Sequence, residues 1–199
     1  SPFTNLLYEQ QANPARVVYE RPENRFHPAG SDVFPYVFTT YRLTEHHTAG
    51  GMSRFLPYLS ELQPTFFCEV SPELAAERDL EQLGWATLVT ARTAIEARVL
   101  VTERIRPLRL QGRTVHQIGV PYHWGGNGLS TGDAGNELIP VALDPNVHIQ
   151  ESKAATCDIV AGRRPRGPAQ LRLVERYRNR AGITASTGTE GASPGMEPG

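Results

Sequence analysis

The densest run of side chains able to do chemistry is Thr39-Thr40-Tyr41-Arg42-Leu43-Thr44-Glu45-His46-His47-Thr48, which follows an apolar stretch and precedes Gly50-Gly51. Arginine suits phosphate because its planar fork donates two parallel charge-assisted hydrogen bonds. Glycines let backbone N–H groups approach such a ligand closely. A strand that ends in Thr40, Arg42, Glu45, His46, His47 and Thr48 is therefore placed to meet a polar, phosphate-bearing ligand. The same run also fits a solvated turn with a capping role. Zinc is disfavoured, because adjacent His46 and His47 point to opposite sides of a strand and no H-E-x-x-H occurs.

A second cluster is Val120-Pro121-Tyr122-His123-Trp124-Gly125-Gly126-Asn127-Gly128, followed by Asn136-Glu137-Leu138. An indole, an imidazole and amides around a flexible loop can line a heteroaromatic ligand, by stacking and by amide bonds to ring edges. Trp124 equally fits a hydrophobic anchor ahead of a surface loop. A third stretch, Asp144 to Lys153, ends in a lysine that faces solvent by default and gains interest only beside a phosphate. Arg163-Arg164-Pro165-Arg166 reads as a solvated surface segment. None of these clusters sets a nucleophile beside a base, and there is no G-x-S-x-G, P-loop or G-x-G-x-x-G after a strand. The residues describe a binding domain with no catalytic residue and no metal ligand of its own.

The elements that must position these residues are mostly short strands. Phe34 to Arg42 is aromatic and β-branched, which predicts a buried first strand. Met52 to Leu62 has apolar residues at helical spacing, interrupted at Pro57. Phe66 to Val70 predicts a second strand, and Ser71-Pro72-Glu73 then starts a short helix reaching Arg78. Trp85 to Thr90 and Ile95 to Thr102 form a hairpin, and Val115 to Pro121 a further strand. Val141 to Val147 and Ala154 to Val160 supply the last ordered pieces, and Leu171 to Arg180 a charged, weakly amphipathic peripheral helix. This order suggests a closed or nearly closed β-barrel with small helices outside it, since closure removes exposed strand edges. The expected organisation is an extended connecting segment over 1–31, the barrel over 32–162, a peripheral basic helix over 163–182 and a disordered tail over 183–199.

Composition agrees with a β-rich domain. Eighteen glycines and sixteen prolines punctuate the apolar runs of this 199-residue chain, which is long enough to bury a core without disulfides or a structural metal. A formal net charge of −1 implies no nucleic-acid-binding surface. Cys68 and Cys157 are isolated and read as buried small hydrophobes, so zinc ribbons and iron–sulfur clusters lack a ligand set. No run approaches the roughly 18 apolar residues of a membrane span. No basic-then-apolar signal opens the chain, and the compartment stays open: cytoplasmic, or membrane-associated through partner subunits.

At these clusters the sequence resembles the molybdopterin oxidoreductases and, within them, the formate dehydrogenases. The resemblance is carried by Phe34 to Thr48, by Phe67 to Arg104 with its Val-Ser-Pro-Glu-Leu-Ala start, by Gly119 to Gly125, and by Asn136-Glu137-Leu138, Asp144-Pro145-Asn146 and Glu151-Ser152-Lys153 in order. It implies a mainly β fold with short helices, a double-psi (aspartate-decarboxylase-like) β-barrel. It implies two molybdopterin guanine dinucleotides gripping molybdenum or tungsten, with the metal also ligated by a residue outside this chain. Carried over by position, Thr40, Arg42, Glu45, His46, His47, Thr48, His123, Trp124, Asn136 and Lys153 form the cofactor site. The implied activity is formate oxidation to carbon dioxide, made only with the remaining domains or subunit of the catalytic subunit and an iron–sulfur electron-transfer subunit. Other readings are the cofactor domain of a nitrate or arsenic-oxyanion enzyme, or a stand-alone barrel acting as an interaction module. Two positions depart from the family pattern: Gly84-Trp85 where Gly-Asp is usual, expected to concern a turn, and Ser152 where an aromatic often precedes the lysine.

Overall fold

Alternation of large apolar residues along an extended chain buries one face. β1 (Tyr36–Tyr41) follows that rule, with Tyr36, Phe38 and Thr40 buried and Val37, Thr39 and Tyr41 less so. The computed structural model describes residues 29–110, 112–122, 124–139, 149–150 and 153–183. Most of the expected connecting segment, the stretch Val141 to Val147, His123 and nearly all of the expected tail lie outside the described residues.

Six strands close into a barrel: β1, β2 (Phe67–Val70), β3 (Trp85–Val89), β4 (Ala94–Val101), β7 (Gln117–Pro121) and β8 (Ala154–Ala161). Around the barrel the order is β1, β7, β2, β4, β3, β8. The β1/β7 and β2/β4 neighbours are parallel, and the other four pairings are antiparallel. Closure leaves no free edge, as the sequence suggests. Inside sit Phe38, Leu88, Ile95, Ile118 and Ile159, each fully buried. Such side chains stabilise by about 1.5–3 kcal/mol apiece. Cys68 and Cys157 are buried free thiols, and burial pushes the Cys68 thiol up to about 12.

The connections carry the helices. A 3-10 turn over Ser53–Phe55 leads into α1 (Pro57–Leu62), so Pro57 starts the helix rather than breaking one. Phe55, Leu56 and Leu62 stand exposed there, although their spacing is that of a buried stripe. α2 (Pro72–Glu77) is capped as expected, with Ser71 Oγ accepting the Leu74 N–H at 3.2 Å and Glu73 in the first turn. The expected strand Val115 to Pro121 is two elements: β6 (Arg113–Val115), which pairs with β5 (Leu108–Leu110), and β7 beyond His116. At the end of the barrel nearest α2, Tyr36 donates to Glu77 at 2.6 Å, and Arg78 and Tyr177 donate to Asp158 at 2.8 and 2.6 Å.

The C-terminal segment packs against the outside of the barrel. α3 (Pro168–Arg180) turns Val174 and Tyr177 inward against Val33, Phe34 and Val89, with Tyr177 stacked on Phe34 at 5.8 Å. The basic run before it is exposed at Arg163 and Arg166, as expected of a surface segment, and is also ion-paired. Arg163 and Arg166 donate to Glu96 at 2.7 and 2.6 Å, and Arg164 donates to both oxygens of Asp133 at 2.6 and 2.9 Å. Glu96 on β4 and Asp133 in the loop are nearly buried and require those partners. Trp85 is also more than a turn residue, because the guanidinium groups of Arg98 and Arg163 lie over its ring at 4.1 and 4.4 Å.

Candidate functional site

The strand registers bring one set of strand ends together. The C-terminal ends of β1, β3 and β7 and the N-terminal ends of β2, β4 and β8 meet at one rim of the barrel. Thr40 lies there, buried, its N–H bonded to the Lys153 carbonyl at 2.9 Å. The Lys153 side chain is exposed beside it. Arg42 leaves the end of β1 and lies over the Tyr122 ring at 4.5 Å, while the Tyr122 N–H bonds the Tyr41 carbonyl. Asn136 is exposed on the 3-10 turn Gly135–Leu138, which Thr90 and Arg92 hold by hydrogen bonds to the Leu138 and Ile139 carbonyls at 2.9 and 2.8 Å. Gly135 packs closely at this junction, where a Cβ would stand 3.1 Å from Val120. Two exposed cations, a hydroxyl and an amide thus share one rim. Among the described residues neither Arg42 nor Lys153 forms an ion pair.

Arg42 and Glu45 also line a groove of about 750 Å³ with Thr39, Tyr41, Glu69 and Arg104. Its wall is anchored by Glu69, buried on β2, whose carboxylate takes both guanidinium donors of Arg104. Burial and the neighbouring Glu69 raise the Tyr41 phenol well above its usual range. Gly119 lets this wall close, because a Cβ there would stand 2.8 Å from the Tyr41 ring.

The structure places His46 and Trp124 inside the protein. His46 is fully buried, with Nε2 bonded to the Gln63 carbonyl at 3.1 Å and Nδ1 facing the Ser53 hydroxyl at 3.2 Å. A carbonyl accepts only, so Nε2 donates to Gln63, and the Ser53 hydroxyl partners Nδ1. Both nitrogens are committed inside the protein. Trp124 meets the His46 ring edge to face at 5.0 Å and packs on Phe66 at 6.0 Å, buried except for a sliver. The two residues brace the loops that carry the rim. His47 and Thr48 stay exposed on the intervening turn, where Thr48 adopts φ +51°.

Sequence reasoning misses Arg54, Glu69 and Arg104. Arg54 is buried, and one of its terminal nitrogens donates to the carbonyls of Gly125 (3.2 Å), Asn127 and Ser130 (2.9 Å). Burial lowers its pKa, yet a guanidinium stays protonated in proteins. The available signal was a lone arginine inside the apolar-spaced run Met52 to Leu62. No cluster of three or more metal-ligating side chains occurs among the described residues.

The rim closes one end of a six-stranded barrel. Residues 36–156 match the molybdopterin dinucleotide binding domain, and the chain belongs to that family. Formate dehydrogenase 2 subunit alpha (cytochrome c-553) of Nitratidesulfovibrio vulgaris is 36% identical over 151 residues, 76% of this chain and 15% of that protein. Formate dehydrogenase subunit alpha of Megalodesulfovibrio gigas is 41% identical over 122 residues, 61% of this chain and 12% of that protein. The nitrate-inducible formate dehydrogenase major subunit of Escherichia coli is 36% identical over 158 residues, 78% of this chain and 15% of that protein. The chain thus spans about one seventh of the length of these relatives. Acetylene hydratase from Pelobacter acetylenicus shares the fold, with a TM-score of 0.55 and 12% identity over 72% of this chain and 21% of that one.

Proposed function

We propose that this chain is the cofactor domain of a molybdenum or tungsten formate dehydrogenase. In this reading it binds one end of a paired molybdopterin guanine dinucleotide, and the enzyme oxidises formate to carbon dioxide. The observation that carries the reading is the rim itself, where Arg42 and Lys153 project from the ends of β1 and β8 without carboxylate partners among the described residues. Exposed cations at the mouth of a barrel suit a pyrophosphate.

Each group of this chain has a distinct task. Arg42 and Lys153 offset phosphate charge, and Tyr122 beneath Arg42 holds the guanidinium in place. Thr40, Thr48 and Asn136 supply hydroxyl and amide partners for ribose or ring edges. Glu45 and His47 border the same turn, and His123 joins the site by the family resemblance. His46 and Trp124 support from behind. The bound cofactor supplies two-electron redox chemistry at a metal held by its dithiolenes and by a residue outside this chain. The remaining domains of the catalytic subunit and an iron–sulfur electron-transfer subunit complete the enzyme.

The test is guanine nucleotide content per assembled enzyme after prolonged dialysis, with folding followed separately by thermal melting. A hydrogen bond to a charged partner contributes about 1.5–3 kcal/mol. Arg42→Ala is therefore expected to weaken retention by about 10–150-fold. Arg42→Lys is expected to rescue partly, keeping charge but losing the fork. Wild-type nucleotide content in both folded variants rules Arg42 out as an anchor.

A further inference from the structure

Arg54 presents an arrangement that stability alone does not call for. It is 4% exposed, and among the described residues no carboxylate faces it. Burying a cation without an anion is unfavourable unless dipoles take the anion's place. Here three carbonyls do so, those of Gly125, Asn127 and Ser130, all converging on a single guanidinium nitrogen. All three belong to one loop without regular secondary structure.

The backbone fixes the same loop to the same residue. The Leu129 N–H donates to the Arg54 carbonyl at 2.8 Å, and the Ser60 hydroxyl bonds that carbonyl at 2.9 Å. Gly128 has φ +104°, and a Cβ there would stand 2.8 Å from the Arg54 carbonyl oxygen. Gly125 accepts from both Arg54 and the Gly132 N–H. Immediately before Arg54, Ser53 holds His46 through its hydroxyl and the His47 N–H at 3.1 Å. Residues 53 and 54 therefore join the turn that follows Arg42 to the loop that runs from Trp124 toward Asn136.

We propose that Arg54 is the positioning residue of the rim: its buried guanidinium clamps the Gly125–Ser130 loop so that Asn136 and the Arg42 turn meet one ligand. This rests on the cofactor reading above. An apolar residue of similar size would fill the space but leave three carbonyls pointing at it and the loop free to choose other paths.

The experiment compares Arg54→Met and Arg54→Lys with Arg42→Ala in the assembled enzyme. Amide exchange is read at Leu129 and Gly132 against barrel amides of β3, together with guanine nucleotide retention. Arg54→Met is expected to accelerate loop exchange at least tenfold, with β3 unchanged, and to shorten nucleotide retention at least tenfold. Arg54→Lys is expected to stay within about threefold on both, because an ammonium brings three donors to three carbonyls. Loop amides as protected in Arg54→Met as in the wild type overturn the clamp. A loosened loop with normal retention, alongside impaired retention in Arg42→Ala, overturns the positioning role and leaves the cofactor reading standing. Normal retention in Arg54→Met and Arg42→Ala together overturns the cofactor reading. If Arg54→Met does not fold, Arg54→Lys decides: near-wild-type protection and retention uphold the proposal, and a protected loop with lost nucleotide overturns it.

Discussion

A histidine inside a cluster of polar residues invites a ligand role, and His46 in this fold is buried. Its two ring nitrogens tie the Ser53 hydroxyl to the Gln63 carbonyl across the base of the rim. His46→Leu keeps the volume but leaves both groups without that partner in a site closed to water. The expected cost is about 1–3 kcal/mol, read as a fall in the urea midpoint with an unchanged slope. A midpoint shift worth less than about 0.5 kcal/mol, the size of an ordinary surface substitution, would show that the ring's bonds are dispensable. Arg42 and Lys153, one a neighbour of this turn and the other of β8, are the opposite case: exposed, and unpaired among the described residues. Residue type could not separate the two cases. The distinction lies in which side of the turn faces Trp124.

At the scale of elements, legibility in the sequence followed periodicity. β1 announces itself through Phe34 to Tyr41, and Ser71-Pro72-Glu73 is a local start signal that needs no tertiary context. The hairpin of β3 and β4 is equally plain. β5 and β6 were not legible, because three-residue strands that are mostly exposed carry no apolar alternation. Arg54 and the partners of Arg163, Arg164 and Arg166 were not legible either, since they lie roughly seventy or thirty residues apart and only barrel closure brings them together. Gly119 shows the same limit on β7. Gly119→Ala would place a Cβ 2.8 Å from Tyr41 and 3.2 Å from Ile105. Overpacking of this kind costs about 1–3 kcal/mol. It should lower the melting temperature and open the Glu69 wall of the groove, seen as faster exchange of the Glu69 amide. A variant as stable as the wild type would mean that Tyr41 swings away freely.

For the molecule as a whole, charge is concentrated where the C-terminal segment returns to the barrel. Burial alone would raise Glu96 and Asp133, but hydrogen bonds from Arg163 and Arg166 to Glu96, and from Arg164 and the Glu96 N–H to Asp133, outweigh it and hold both carboxyls below their usual range. A depressed folded-state pKa contributes stability that is complete above the unfolded value, about 4, and lost as pH falls through the folded value. Thermal melting between pH 6 and pH 3 should therefore show a progressive loss, smaller in the double variant Glu96→Gln, Asp133→Asn. Parallel pH profiles for the two proteins would contradict this assignment.

That network has a consequence for where the domain can be cut. The family match stops at residue 156 and the last barrel strand at Ala161, so a truncation at 162 looks natural. Such a cut removes Arg163, Arg164 and Arg166 together and leaves Glu96 and Asp133 without those donors. Their pKa values would then move back up toward the unfolded ones, and the acid-linked part of the stability would shrink. The shortened barrel should lose less stability than the full chain between pH 6 and pH 3, a difference that a boundary drawn after Ile183 would abolish.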